Sequence, residues 1–361
     1  MAKDVMELVS GVQTEKTPEG HMTPRENAVA ILNGEQPEYY GDIFDSIALV
    51  ADPLFLADNY FGPDGVEHLD AWGVAKLWEP GSPGAHPMVT DDNKVISDIE
   101  CWDEQVKFPD LAGYDWSMAV AQAEAIDRHE KFVGAFMPTG IFERTHFLMG
   151  MEDAFCAYLE EPEAMHDLQR AICNWKLDYI DEFCRHIQPD IVFYHDDWGT
   201  KRNTFLPPET WREFIKPLQT EIAQSLHDHD IIYMHHSDCY CQPLAQDMVD
   251  IGIEIWQGVI AQNDIVEVQR VTEGKLAMAG GVDGPAIDIE GMPEEAIRAE
   301  VRRAIDAYCP AGRFFPSIPT SACYIERNNE IYLDELKTYG RAWAEEHPVR
   351  EPAAVGARTF R

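Results

Sequence analysis

One rhythm in the sequence constrains the fold more than any single motif. A short apolar run passes without a spacer into ionisable or polar residues, and a helical pattern follows. The runs lie at 131–136, 190–194, 231–234, 252–256 and 275–279, with Phe314-Phe315-Pro316 as a candidate last strand. Runs this short and this apolar predict strands buried on both faces, as in a parallel sheet. Between them, helical spacing fills 152–187, and another helix opens at Pro207-Pro208-Glu209. Its apolar positions Trp211, Phe214, Ile215, Leu218, Ile222 and Leu226 keep that spacing, with a kink expected at Pro217. A later helix starts at Pro293, carries Glu294 and Glu295 in its first turn, and turns Ile297, Val301, Ile305 and Tyr308 inward. A closing helix is expected over 328–346. The alternation predicts an α/β fold, a (β/α)8 TIM-type barrel with an N-terminal extension, for which 361 residues are ample. A doubly wound open sheet is the rival, but no Gly-rich phosphate-binding turn follows an early strand.

No composition break marks a linker, so the expected organisation is an N-terminal arm at 1–22, one barrel domain at 23–346 and a C-terminal tail at 347–361. Thr23 is a predicted helix cap, with Pro24 at the first helical position and Glu26 at the third. Residues 52–117, rich in Gly, Pro, Asp and Trp, read as loops over a rigid scaffold. The formal net charge of −37 repels phosphate backbones and anionic lipid, which argues against nucleic-acid and membrane partners. The N-terminus lacks the apolar core of a signal peptide and no run is long enough to span a bilayer, so a cytoplasmic location is expected. The eight cysteines lack the spacing of a disulfide framework, and Cys156, Cys173 and Cys184 read as small core residues. A homodimer is compatible with such an acidic barrel, though nothing in the sequence specifies one.

In parallel α/β folds ligands bind at the carboxyl edge of the strands, so the residues that close each run are the candidates for chemistry. Ile231-Ile232-Tyr233-Met234 runs directly into His235-His236-Ser237-Asp238-Cys239-Tyr240-Cys241. His236 and Cys239, with a distant cysteine such as Cys323, supply three nitrogen and thiolate donors of the kind zinc takes, leaving a fourth position open. The plainer alternative is that the histidines make ordinary hydrogen bonds and the thiols fill the core. Asp196 and Asp197 close another run; neighbouring carboxylates can separate in pKa into an acid and a base, or one of them can cap the next turn. Asp283, after two glycines, invites the same two readings. Glu143 and Arg144 are a substrate clamp or a buried ion pair, and Trp198, Tyr240 and Trp256 wall an apolar pocket or fill the core. His195 and Gln257, at the ends of their runs, join these as substrate-contacting candidates, while Asp197, His236 and Asp238 are the catalytic ones.

The segments Phe142-Glu143-Arg144, Asp196-Asp197-Trp198-Gly199, His235-His236-Ser237-Asp238 and Gly280-Gly281-Val282-Asp283 resemble the uroporphyrinogen decarboxylase superfamily, which includes corrinoid-linked methyltransferases. The likeness runs from about Asp70 to Tyr339 and implies a barrel with its active site at the strand carboxyl ends. Decarboxylases of that family carry an N-terminal motif of the type MRQAGR, whose arginine handles propionate groups; the chain has none. The zinc methyltransferases use a His-x-Cys pair and a cysteine near the C-terminus. Here Asp238 stands two after His236, Cys239 comes one later, Ser317 occupies a place where relatives can have cysteine, and Cys323 follows. The resemblance therefore implies a methyltransferase acting between a small O-methyl ether or N-methyl amine and a cobalamin on a separate corrinoid protein. A zinc ion on His236, Cys239 and Cys323 would polarise the leaving atom; without it, Asp197 or Asp238 would protonate that atom. Two alternatives stay open. A decarboxylase of a multi-carboxylate substrate needs arginines at the mouth, for which only Arg144, Arg202 and Arg327 qualify. A non-catalytic partner of a corrinoid protein would keep the pocket but not depend on His236.

Overall fold

The apolar runs become strands because their residues can be buried on both faces, and the polar residues after them fall where the sheet ends. The computed structural model describes residues 16–59, 62–82, 84–320 and 322–349; most of the predicted arm and tail, 1–15 and 350–361, lies outside them. The first strand, β1 (Ile47–Val50), is followed by a small antiparallel sheet of β2 (Glu67–Leu69), β3 (Ala75–Leu77) and β4 (His86–Pro87). Then come β5 (Phe132–Met137), β6 (Ile191–His195), β7 (Ile232–His236), β8 (Ile255–Val259), β9 (Ala277–Gly281) and β10 (Phe314–Ser317). The parallel ladder runs β1-β5-β6-β7-β8-β9-β10, with helices between successive strands. This is the curled sheet of a TIM-type barrel with an N-terminal extension, and seven strands share the ladder among the described residues. No helix among those residues is long and apolar enough to cross a membrane.

Several local expectations hold in detail. Thr23 accepts a hydrogen bond from the Glu26 N–H while the Glu26 carboxylate accepts from the Thr23 N–H, a reciprocal cap on the helix Pro24–Leu32. Ile297, Val301, Ile305 and Tyr308 are buried on the helix Glu294–Tyr308, and Glu326–Glu346 is the closing helix. At Pro217 the expected kink is a division into two helices, Pro208–Phe214 and Lys216–Asp228, which meet at Ile215. There Pro217 stands in a first turn, where its missing N–H has no partner to lose.

Other expectations need correction. The run at 252–256 begins too early: Gly252 has φ +99° and ends the helix Ala245–Ile251, so β8 starts only at Ile255. Cys156 is exposed, because the helix Met151–Glu160 turns Ala154, Ala157 and Tyr158 inward instead. The stretch 52–117 is more than loop. Its Asp70 lies fully buried with Arg144 Nη1 at 2.9 Å and Lys76 Nζ at 3.3 Å, and the Arg144 guanidinium stacks on Trp72. Ile96 N–H also donates to Leu148 O. This excursion is thereby fastened to the helix Ile141–Met149, which follows β5.

Just past β1, Asp52 is fully buried. Its Oδ1 accepts from Leu54 N–H, Phe55 N–H and Tyr179 O–H, while Oδ2 has no hydrogen-bond partner among the described residues.

Candidate active site

Alternation along the strands decides which side chains meet. On one parity, Tyr194, Asp196, Tyr233 and His235 point out of the barrel toward the helices. Tyr194 and Tyr233 hydroxyls both reach Gln219 of the helix Lys216–Asp228, and His235 stacks on Trp198 at 4.0 Å. The other parity faces the barrel interior. Phe136 stacks on Phe193 at 4.9 Å, Phe44 meets the edge of Phe193, and one step further along the strands His195 stacks on His236 at 4.4 Å. Register sets this up: His195 pairs with His236, and His236 with Gln257, across β6, β7 and β8. The interior is an apolar floor topped by a polar end.

At that end, His195, Asp197 and His236 each offer one donor atom, and the three atoms lie within 4.8 Å of one another. His195 Nδ1 lies 2.9 Å from Glu143 Oε2, and His236 Nδ1 is bound by Gln257 Oε1. Because the Gln257 amide nitrogen donates to Pro319 O at 2.9 Å, its oxygen is the atom left to accept from His236. Both imidazoles therefore use Nδ1 outward and keep Nε2 for the interior. Asp197 Oδ1 accepts from Asp238 N–H at 3.0 Å, and the Asp238 carboxylate pairs with Lys201 at 3.0 Å on the rim.

The electrostatics follow from burial and neighbours. Burial works against a charged His195, but the Glu143 carboxylate, with Asp197 and Asp196, raises it to about 10. His236 is pushed down to about 4 by burial and by the charge on His195, as two stacked imidazoliums would repel. Asp197 is lifted to about 7 by burial, with Glu143 and Asp238 adding to the rise and His195 opposing it. One ring is held charged and its stacked neighbour neutral.

The family profile described as Uroporphyrinogen decarboxylase (URO-D) matches residues 113–316, more than half of the chain. The chain belongs to the uroporphyrinogen decarboxylase family. The match runs from Gly113 to Pro316 and so contains Glu143, His195, Asp197, His236 and Gln257, while β1 and the small antiparallel sheet precede it. No curated protein matches the sequence. Among solved structures, a methyltransferase from Methanosarcina mazei superposes with a TM-score of 0.59 at 13% identity, covering 88% of this chain and 99% of that one. At that identity the likeness is one of fold.

Within this uroporphyrinogen decarboxylase family barrel, several sequence candidates serve the scaffold. Asp196, fully buried, turns away from the interior: its oxygens accept from Phe142 N–H, Glu143 N–H, Trp198 Nε1 and Gln219 Nε2. It thus caps the helix Ile141–Met149 from a neighbouring strand, and burial and the Glu143 charge lift its carboxyl to about 7. The cap residue of that helix is Gly140, where a Cβ would stand 2.1 Å from Asp196 Cγ. Trp198 and Trp256 fill the layer behind the sheet, the latter donating to Ser237 O at 2.9 Å. Arg144 belongs to the buried cluster around Asp70 and is no clamp at the mouth. Asp283 caps the short helix Gly284–Ile287 and is not part of the three-donor group. Tyr240 is half-buried on the loop after β7, where its N–H donates to Thr200 O.

The thiolate set is not assembled. Cys239 Sγ lies 2.8 Å from Ser237 Oγ and 3.3 Å from Cys241 Sγ, and burial drives its pKa well above the ordinary value. Cys323 is pushed up to about 12 by burial and by Asp288. Neither thiol joins His236 among the described groups able to hold a metal. The residues that do so were available to the eye: His195 and Asp197 are two apart on one strand end and so share a face, and His236 is their neighbour in register.

Proposed function

We propose that the chain moves a methyl group between a small O- or N-methylated compound and a cobalamin carried by a separate corrinoid protein, in the cytoplasm. The character of the barrel mouth supports this reading. A floor of Phe44, Phe136 and Phe193 leads to one polar focus at His195, Asp197 and His236, which suits a small apolar body bearing a single heteroatom. The same mouth is poorly built for a multi-carboxylate substrate. Its two cations, His195 and Lys201, are already taken by Glu143 and Asp238, Arg144 is buried against Asp70, Arg327 donates to Met292 O, and Arg202 lies on an exposed turn.

Methyl transfer breaks the bond between carbon and the heteroatom, and the electron pair stays on the heteroatom. A cobalamin brought by its carrier would supply the cobalt nucleophile that takes the methyl group. The chain's own task is to hold the heteroatom at the three-donor focus and meet the charge that develops there. Asp197 is the acid of choice: it faces the focus, its other oxygen is fixed by Asp238 N–H, and Asp238 itself is paired with Lys201. A proton from Asp197 completes the alcohol, phenol or amine product. Cys239 and Cys323 stand apart from His236, so no step is assigned to a thiolate-held zinc.

Purified chain mixed with methoxylated aromatics or methylamines and reduced cobalamin, followed by absorbance, tests this. The expected result is methylation of cobalamin with one demethylated product per turnover, abolished in His236→Ala. Release of carbon dioxide from polycarboxylates without methyl transfer would overturn the reading, and His236→Ala turning over like the wild type would remove the site from it.

A further inference from the structure

We infer that His195, Asp197 and His236 form a mononuclear divalent-cation site of two imidazoles and one carboxylate. The inference rests on the methyl-transfer reading only for what the cation would do, since the donor set stands on its own geometry. Three features carry it. The donor atoms converge within 4.8 Å, and this is the only group of three or more His, Cys, Asp or Glu donors found among the described residues. All three are set by the ends of two neighbouring parallel strands, a rigid frame that fixes their spacing. Each also has an outer partner that orients it: Glu143 on His195 Nδ1, Gln257 on His236 Nδ1, and Asp238 N–H on Asp197 Oδ1. A carboxylate or carbonyl behind a ligating histidine is the usual way a metal site fixes tautomer and ring direction. The bulge at Gly258 makes room for it, since a Cβ there would lie 2.9 Å from His236 Cε1.

The chemistry differs from that of a thiolate site. Binding the ion would displace the proton that Glu143 holds on His195 in the metal-free site, and two neutral imidazoles and one carboxylate would then leave the divalent ion with one net positive charge and with positions open to substrate. A His and two thiolates would cancel its charge. The harder, more electrophilic ion favours an oxygen leaving atom, so the substrate class narrows from methylated compounds in general to O-methyl ethers. Asp197 cannot hold a proton and the cation on the same oxygen, so in a loaded site the cation would take over the polarising role and the product oxygen would take its proton from solvent.

Metal analysis of the purified full-length chain, with cobalt(II) substitution, tests the inference. We expect about one divalent ion per chain, lost in His195→Ala and His236→Ala and retained in Cys239→Ser and Cys323→Ser. Glu143→Gln and Gln257→Ala, which alter only outer partners, should weaken cobalt binding by about 10–100-fold. The cobalt-loaded wild type should show ligand-field bands without intense thiolate-to-cobalt charge transfer, a readout that also serves if an alanine variant fails to fold. Charge transfer that disappears in Cys239→Ser, or no binding of zinc or cobalt by the wild type, would overturn it. A metal-free chain that still methylates cobalamin sinks the site and spares the transfer reading; a loaded chain that transfers no methyl group does the reverse.

Discussion

His195 and His236 lie ring over ring, and their opposite charge states depend on small steric permissions nearby. Gly258 is one of them. It has φ +90°, a conformation costly for any side chain, and its missing Cβ is what the His236 ring occupies. Gly258→Ala should therefore cost roughly 1–3 kcal/mol of stability through backbone strain. By tilting His236 off Gln257 it should also lower turnover about a hundredfold, the scale of an ångström-sized misplacement. Denaturant midpoint and turnover number measure the two effects separately. Asp52 gives a pH prediction at the same scale. Burial raises its carboxyl from 3.8 to about 6, with Tyr179 and the Leu54 and Phe55 N–H groups only partly opposing. Between those values the folded chain keeps a proton that the unfolded chain has released, so this stabilisation is full below the lower value and lost as pH rises through the upper one. Asp52→Asn removes the dependence. Its stability relative to wild type should improve on going from pH 4 to pH 7 by up to about 3 kcal/mol, read from paired urea titrations.

At the scale of the element, the helix Ile141–Met149 starts on groups supplied by other strands. Tyr194 O–H lies 3.1 Å from Ile141 N, and Asp196 takes the next two N–H groups. Asp196→Ala should cost roughly 2–5 kcal/mol, from the lost cap and from the buried Trp198 and Gln219 donors left unpaired. Thermal unfolding checks this, and a cost under 0.5 kcal/mol, about the level of a neutral surface change, would contradict the capping role. The same element shows what the sequence discloses and what it withholds. β5, β6, β7, β9 and β10 are legible because apolar residues on both faces leave no other reading. β1 is not, since four apolar residues beside a Gly- and Pro-rich stretch carry no period. Asp196 and Asp197 look alike in sequence; both lie just past the end of β6, yet one reaches a helix end and the other the site. The cysteines after β7 misled for a related reason: beyond His236 the chain leaves the strand, so parity no longer predicts direction.

For the whole molecule, the excursion between β1 and β5 and the barrel are joined by charge taken out of water. Asp70 is fully buried beside Lys76 and Arg144, and these two cations hold its carboxyl below the ordinary range against the effect of burial. Removing the anion takes from Lys76 and Arg144 a carboxylate that they share at depth, so Asp70→Ala should destabilise by about 3–5 kcal/mol, the usual scale for breaking a buried ion pair from one side. Its melting temperature should fall accordingly, and Asp70→Asn should recover little of the loss because it restores shape without charge.

Arg144 is the residue after Glu143, and Glu143 is what keeps His195 charged and aimed. Anyone grafting a different segment between β1 and β5 to admit a new substrate thus inherits a condition. The replacement must carry its own anion to that depth, or the helix start shifts and the aim of both imidazoles drifts with it.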